Sequence, residues 1–209
     1  MLNKIILPSA YLGSTVYYAI IIKHKCIIEA NENFNRRSIR NHCNIYAANG
    51  KLKLSIPIKK ASKKKITDIK ICYEENWQKK HWNSINTAYN SSPFFKYYKD
   101  ELHTFFIKKE TYLFSFTQKI QQTILRLLNF ENNITNTKIY KKKGEFLDLR
   151  HIKWNNNVQE KYDQVFFEKH GFIQNLSIID LLFNYGPETQ KYLQKINIDI
   201  FLNHIKNIS

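Results

Sequence analysis

Residues 4–30 read KIILPSAYLGSTVYYAIIIKHKCIIEA, and this stretch decides the fold class. Residues 4–7 and 26–30 are short apolar runs of the kind that form buried strands. Residues 14–25 between them carry a longer apolar pattern, which predicts a helix. A strand, a helix and a second strand in this order predict a βαβ unit, and therefore an α/β fold.

The βαβ unit also indicates where a ligand would lie. Ligands of such units usually bind beyond the carboxyl ends of the strands, here the loop 8–13 and the turn after Ala30. The helix start near Ser14 and Thr15 would offer amide groups to an anion there. The loop has no glycine-rich fingerprint, so the pattern alone gives weak support for a phosphate site.

Residues 42–58, HCNIYAANGKLKLSIPI, predict a hairpin that joins this sheet, because Asn49-Gly50 lies between two alternating runs. If Ala48 pairs with Lys51, the register of the other cross-strand pairs is set. The predicted pairs are then Ala47 with Leu52, Ile45 with Leu54 and Cys43 with Ile56. These residues share the apolar face, so Cys43 is expected to point into the core. The polar face would carry Arg40, His42, Asn44 and Tyr46.

The rest of the chain reads mainly as helices. Residues 66–72 predict one further strand, and then a period near four residues predicts three helices covering the sheet, at about 76–89, 92–105 and 111–127. Ser92 with Pro93 and Thr111 are the expected starts of the second and third. Residues 131–160 read as loops with a short strand at 137–140.

Residues 175–188, NLSIIDLLFNYGPE, place an acidic residue inside an apolar run. Ser177 followed three residues later by Asp180 has the form of a capping box, and Gly186-Pro187 supplies a stop signal. Capping therefore accounts for Asp180 more simply than catalysis does.

Length and composition limit the possible classes of protein. The chain has 209 residues, 43% of them hydrophobic, so we expect one domain over residues 1–209. Its parts would be mainly sheet-forming (1–75), helical (76–130), and loop-rich then helical (131–209). No apolar run is long enough for a transmembrane helix and no secretory signal is recognisable, so a cytoplasmic protein is expected. The three cysteines lack zinc-ligand spacing and are expected to be reduced, and no cofactor, metal or oligomeric state is indicated.

The formal net charge of +16 has two explanations. Dense lysine and arginine are typical of proteins that bind nucleic acid or another polyanion. Lysine, asparagine and isoleucine all have A/T-rich codons, so a biased genome would raise the lysine count without selection for binding. We favour the second explanation, in which runs such as residues 59–65 are solvated loops.

Four stretches together resemble the WbqC-like proteins, a family found among bacterial O-antigen and surface-polysaccharide genes. They are AYLGSTVYYAI (10–20), RRSIRNHCNIYAANGKLKLSIPI (36–58), NWQKKHWNSINTAYNSSPFFKYY (76–98) and YDQVFFEKHGFIQNLSIIDLLFNYGPE (162–188). The resemblance implies a transferase or accessory factor acting on a nucleotide-linked or lipid-linked sugar. It does not imply a particular reaction, so catalysis itself stays open.

On this hypothesis, Arg36, Arg37 and Arg40 would bind the anionic part of the substrate, because guanidinium matches phosphate or carboxylate. His81 would be the general acid or base. Asp148 and Arg150 would pair with each other or position the substrate, and the resemblance adds Tyr11 and Asn41 to the substrate-binding residues.

Each of these assignments has an alternative. The arginines would form a surface ladder, His81 a hydrogen-bonded core residue, and Asp148 with Arg150 a structural ion pair. Two other functions also remain open. One is an RNA- or polyanion-binding module in which Tyr46, Tyr97 and Tyr98 stack on bases, and the other is a non-catalytic scaffold for glycan enzymes.

Overall fold

The computed structural model describes residues 4–60, 64–130, 134–142, 144, 146–154 and 159–206, without the side chains of residues 204 and 206. The strands are β1 (Ile5–Leu7), β2 (Cys26–Ile28), β3 (His42–Ala47), β4 (Gly50–Ser55), β5 (Thr135–Asn136) and β6 (Leu147–Asp148). The helices are α1 (Thr15–Lys23), α2 (Trp77–Tyr89), α3 (Phe95–Ile107), α4 (Leu113–Leu127), α5 (Phe167–His170), α6 (Ile178–Tyr185), α7 (Thr189–Lys195) and α8 (Ile198–Lys206).

The predicted βαβ unit forms the centre of a parallel sheet with the order β5-β2-β1-β6. β1 pairs in parallel with both β2 and β6, and every residue of β1 is buried. Helix α1 is buried along most of its length and packs against α6, α7 and α8. An apolar strand covered on both faces is what a parallel sheet requires, and the predicted α/β class is confirmed.

The strand order reverses at one point in this sheet. From β1 the chain crosses through α1 to β2 on one side, whereas β6 pairs with the opposite side of β1. The loops that follow β1 and β6 therefore diverge at the carboxyl edge of the sheet. Such a topological switch point is where open α/β sheets leave a crevice for a ligand.

The hairpin β3-β4 is a separate two-stranded sheet, so the prediction that it joins the main sheet is wrong. Its pairs include Ala47 with Gly50 and Cys43 with Leu54, which differs from the predicted register by two residues. A shift of two keeps each side chain on its face, and Cys43 points inward as predicted. Leu52 lies towards the free end of the hairpin and is 36% exposed, so its predicted burial is wrong.

Several local predictions also need correction. Residues 66–72 begin with a 3₁₀ turn at Ile66–Asp68 and continue with isolated bridges instead of a strand. The hydroxyl of Ser92 has no partner among the described residues and α3 starts at Phe95, so Ser92 does not cap it. The strand expected at 137–140 lies instead at Thr135–Asn136. The three predicted helices themselves are present.

The predicted capping box does not form. Ser177 precedes α6, but its hydroxyl donates to the Leu12 carbonyl at 2.8 Å and caps no amide of the helix. Asp180 is fully buried and accepts hydrogen bonds from the hydroxyls of Tyr89 and Tyr162 and from Nε2 of Gln164. These contacts favour the structural explanation of Asp180, but through long-range hydrogen bonds instead of the predicted capping.

Within the described ranges, no helix combines the length and apolar character needed to cross a membrane.

Candidate functional site

The cleft at the switch point has a volume of about 330 Å³. It is lined by residues 11–14 after β1, much of the segment 35–44, Lys51 of β4, residues 150–154 after β6, and Asn175 and Ser177 before α6. Both loops that leave the carboxyl edge of β1 and β6 therefore contribute to it. Of the two positions expected from the βαβ pattern, the loop 8–13 contributes Tyr11, Leu12 and Gly13 to the lining, whereas the turn directly after Ala30 does not line the cleft.

Backbone strain is concentrated around the cleft. Among the described residues, four that are not glycine have positive φ, and three of them line it: Leu12 (φ 44°), Arg37 (φ 57°) and Asn175 (φ 53°). The left-handed conformation is unfavourable for a side chain such as leucine and persists only where surrounding contacts enforce it. Strain of this kind clusters at ligand sites, which supports the cleft as the candidate site.

The start of α1 lies at the cleft wall, but its amides are already used. The N–H of Thr15 donates to the Leu176 carbonyl, and that of Val16 donates to Oδ1 of Asn175. The N–H groups of Tyr17 and Tyr18 donate to Oγ and O of Ser14, respectively. These amides are therefore not free for an anion, which argues against the weakly supported phosphate site at this helix start.

Tyr11 joins the cleft to His81. The Tyr11 hydroxyl lies 2.9 Å from Nδ1 of His81, and both side chains are buried. Burial lowers the pKa of the His81 imidazole to about 4, against a smaller opposite effect from a hydrogen bond to the Ser55 backbone. The neutral ring donates to that carbonyl and accepts from Tyr11. His81 lies behind Tyr11 and is not among the residues that line the cleft.

Arg40 and Arg150 form the base of the cleft, and carboxylates neutralise both. Arg40 makes a two-pronged ion pair with Glu32 and also donates to the Arg150 carbonyl at 3.0 Å. Arg150 pairs with Asp148 at 2.6 Å and with Glu29 at 3.1 Å. Although burial raises it, the hydrogen bonds and charge of Arg150 lower the pKa of Asp148. The predicted pairing of Asp148 with Arg150 is present in this network.

The other predicted residues divide between the cleft and its surroundings. Arg36 and Arg37 are both exposed, but only Arg37 lines the cleft. Asn41 lies outside the lining, and its amide donates to the Ile56 carbonyl at 3.2 Å. Tyr11 is part of the lining. The cleft thus brings together Tyr11, Arg37, Arg40 and Arg150. The other predicted site residues do not line it: Arg36, Asn41, His81 and Asp148.

The cleft favours an anionic ligand. None of the described residues that line it is acidic, whereas five of them are arginine or lysine. Three of these cations, Arg37, Lys51 and Lys153, take part in no ion pair with any described residue. Their charge is therefore available to a ligand, unlike that of Arg40 and Arg150.

A model of the WbqC-like protein family matches residues 11–149 and 140–192 of the chain. The chain belongs to the WbqC-like protein family. The matched residues include every segment that lines the cleft. No curated protein and no solved structure gives a significant match.

Sequence reasoning missed part of the cleft of this WbqC-like protein. His42 and Asn44 were assigned to the polar face of the hairpin, and that face proves to be a wall of the cleft, together with Lys51. Lys153 and Trp154 were also missed, although they closely follow Arg150, which was singled out. The indole of Trp154 packs on the Tyr17 ring at 5.4 Å, which fixes an aromatic surface beside the cations.

Tyr46 does not belong to an exposed aromatic surface. Its side chain is fully buried, and its hydroxyl lies within hydrogen-bond distance of two carbonyl acceptors, those of Phe166 (2.9 Å) and Gly171 (2.7 Å). Burial therefore contradicts the alternative in which Tyr46 stacks on nucleic-acid bases. Tyr97, by contrast, is 65% exposed.

Proposed function

We propose that this protein binds a diphosphate-linked sugar, nucleotide-linked or lipid-linked, in the cleft between β1 and β6. It would act there as a transferase or accessory factor of bacterial surface-polysaccharide biosynthesis. The observation that carries the proposal is a cleft at a topological switch point. Among the described residues, its lining includes three cations without an ion pair and no acidic residue. Sugar nucleotides are made inside the cell, so the proposal keeps the expected cytoplasmic location.

Each group in the cleft has a separate task in this proposal. Arg37, Lys51 and Lys153 bind the phosphates, because they donate hydrogen bonds and have no counter-ion among the described residues. Arg40 and Arg150, which are already paired, hold the loops of the cleft in place. Trp154 offers its indole face to a sugar or base ring.

His81 would act through Tyr11. Its ring accepts the Tyr11 hydrogen bond and reaches the Ser55 backbone, so it ties α2 to the loop after β1 and to the hairpin. That position supports a positioning role more than direct proton transfer to a ligand.

The size of the cleft favours a small ligand over nucleic acid. A volume of about 330 Å³ lies within the range of roughly 300–1,000 Å³ that is usual for small-molecule sites. An RNA-binding surface would instead need a long basic groove with exposed aromatic residues. Burial of Tyr46 removes one of the three aromatic residues expected for that alternative.

Neighbouring arginines provide a matched test. Arg37→Gln removes a cation from the cleft, while Arg36→Gln removes an adjacent cation outside it. Calorimetric titration should use sugar nucleotides of uridine, thymidine and guanosine diphosphate, and a short polyprenyl diphosphate sugar. We expect Arg37→Gln to weaken binding about tenfold, as for loss of one charge-assisted hydrogen bond, and Arg36→Gln to change it less than about twofold.

Two results would contradict the proposal. One is equal weakening by the two variants, which would indicate a general attraction between the protein and any anion. The other is the absence of saturable binding of every tested ligand to the unaltered protein.

A further inference from the structure

His42 stands on the polar face of the hairpin, where that face forms a wall of the cleft. It is the first residue of β3 and pairs with Ser55 of β4. Asn44 is the next residue on the same face, and Lys51 lies farther along it on the other strand. The hairpin therefore presents two uncharged polar groups and one cation to the cleft.

The two ring nitrogens of His42 have different surroundings. Nδ1 is shielded from solvent and has no hydrogen-bond partner among the described residues. Nε2 is not among the shielded atoms and makes no hydrogen bond to the described protein either, and His42 lines the cleft, so Nε2 is the ring nitrogen that remains available to a ligand. Nothing within the described protein holds this ring through a hydrogen bond, although a buried polar group normally has such a partner.

The ring is a neutral group among cations. Burial, followed by the charge of Lys53, lowers the pKa of the His42 imidazole to about 4. Near neutral pH one ring nitrogen therefore donates and the other accepts, whereas Arg37, Lys51 and Lys153 can only donate. A neutral imidazole suits a hydroxyl group, which both donates and accepts, and gains little from a phosphate compared with the neighbouring cations.

We propose that His42 contacts the sugar hydroxyls of the ligand through Nε2, beside the cations that bind its phosphates. The inference rests on the proposed function and names the part of the ligand that this wall of the cleft recognises. It makes His42 a specificity-determining residue, which separates a sugar diphosphate from the same diphosphate without its sugar.

A pair of amide substitutions tests which nitrogen matters. The amide of glutamine reaches the position of Nε2, whereas that of asparagine reaches only the position of Nδ1. Calorimetry should compare His42→Gln and His42→Asn with uridine diphosphate glucose, uridine diphosphate, and the matching thymidine and guanosine pairs. We expect His42→Asn to weaken binding of the sugar nucleotide roughly five- to tenfold, as for one lost hydrogen bond, and binding of the bare diphosphate less than about twofold. His42→Gln should keep sugar-nucleotide binding within about threefold of the unaltered protein.

Three results would overturn the inference. Equal losses in the two variants, or equal losses with the two ligands, would show that His42 does not contact the sugar through Nε2. An unaltered protein that binds none of these ligands would overturn the proposed function and this inference with it. Tight binding that is insensitive to His42 but weakened by Arg37→Gln would overturn the inference alone.

A measurement on the unaltered protein tests the same inference if the His42 variants fail to fold. The imidazole NMR signals of His42 should shift on addition of the sugar nucleotide and stay nearly unchanged with the bare diphosphate. Signals that respond equally to the two ligands would contradict the inference.

Discussion

The carboxylate of Asp180 accepts hydrogen bonds from two distant parts of the chain. Tyr89 at the end of α2 donates at 2.7 Å, and Tyr162 and Gln164 donate at 2.6 and 3.1 Å from the segment before α5. Burial raises the pKa of Asp180, and these hydrogen bonds lower it by less. A buried carboxylate with three donors and no described cation beside it links α2, α6 and the 162–164 segment.

Replacing Asp180 by asparagine tests this role. The substitution replaces one acceptor oxygen by an amide NH₂ group, which cannot accept a hydrogen bond from the surrounding donors. Asp180→Asn should therefore lower the free energy of unfolding by about 1–3 kcal/mol. A raised pKa means that the folded state binds the proton more tightly than the unfolded chain. The contribution of Asp180 is therefore greatest below its ordinary pKa, near 4, and declines as pH rises through the folded-state pKa. Urea denaturation should show a larger cost of Asp180→Asn at pH 4 than at pH 7.

Asp163 provides the control for this comparison, because it is exposed in the same segment. Asp163→Asn should change the free energy of unfolding by less than about 0.5 kcal/mol at both pH values. A cost of Asp180→Asn that is equal at both pH values, or larger at pH 7, would contradict a raised pKa.

Asp180 also shows what a local sequence pattern can and cannot predict about a single side chain. The spacing of Ser177 and Asp180 correctly located the start of α6, but wrongly predicted what the two side chains contact. Local spacing records the helix boundary, whereas the partners Tyr89 and Leu12 are 91 and 165 residues away along the chain. Contacts of that range depend on how the helices pack, which no local pattern contains.

At the scale of elements, the hairpin likewise shows which features a local sequence pattern predicts and which it does not. Alternation placed Cys43 and Ile45 on the inner face, and both are buried. The Asn-Gly signal placed the turn at Asn49-Gly50, whereas Ala47 pairs with Gly50 and the turn residues are Ala48 and Asn49. Gly50 still has a special role, since its φ of 93° favours glycine. A register error of two residues keeps the faces, and for this reason the pattern could not reveal it.

The two leucines of β4 should differ sharply in their effect on stability. Leu54 is 4% exposed and packs in the core, while Leu52, on the same face, is 36% exposed. Leu54→Ala should therefore lower the free energy of unfolding by about 2–5 kcal/mol. Leu52→Ala should lower it by less than about 1 kcal/mol, as at a surface position.

Thermal and urea denaturation of the two variants provide the measurement. Similar costs for the two substitutions would show that the free end of the hairpin packs on the core as closely as its base does.

At the scale of the whole molecule, the parallel order of β1 and β2 could be predicted from one stretch of 27 residues, because a strand, a helix and a strand in sequence pack in one way. The place of β6 could not. Its two residues, Leu147 and Asp148, lie in a loop-rich region and carry no strand pattern, yet their pairing with β1 creates the switch point. The sequence therefore indicated the position of the cleft after β1, whereas on the β6 side it singled out Arg150 but not Lys153 and Trp154.

Net charge alone also says little about the site. The +16 charge counts Arg40 and Arg150, whose charge is balanced by carboxylates, together with Arg37, Lys51 and Lys153, which form no ion pair within the part of the chain that the structure describes. Only the arrangement of the acidic partners separates these two groups. Because of that arrangement, the cleft contains a specific set of cations that form no ion pair with the described residues.

The most direct test of the account is hydrogen–deuterium exchange of the unaltered protein at physiological salt, with and without the tightest-binding diphosphate-linked sugar. The account predicts slower exchange in peptides that contain the cleft segments 35–44 and 150–154, on both sides of the switch point. Slower exchange confined to another basic surface, such as that around Lys59 and Lys70, would contradict it, as would no change in either cleft segment.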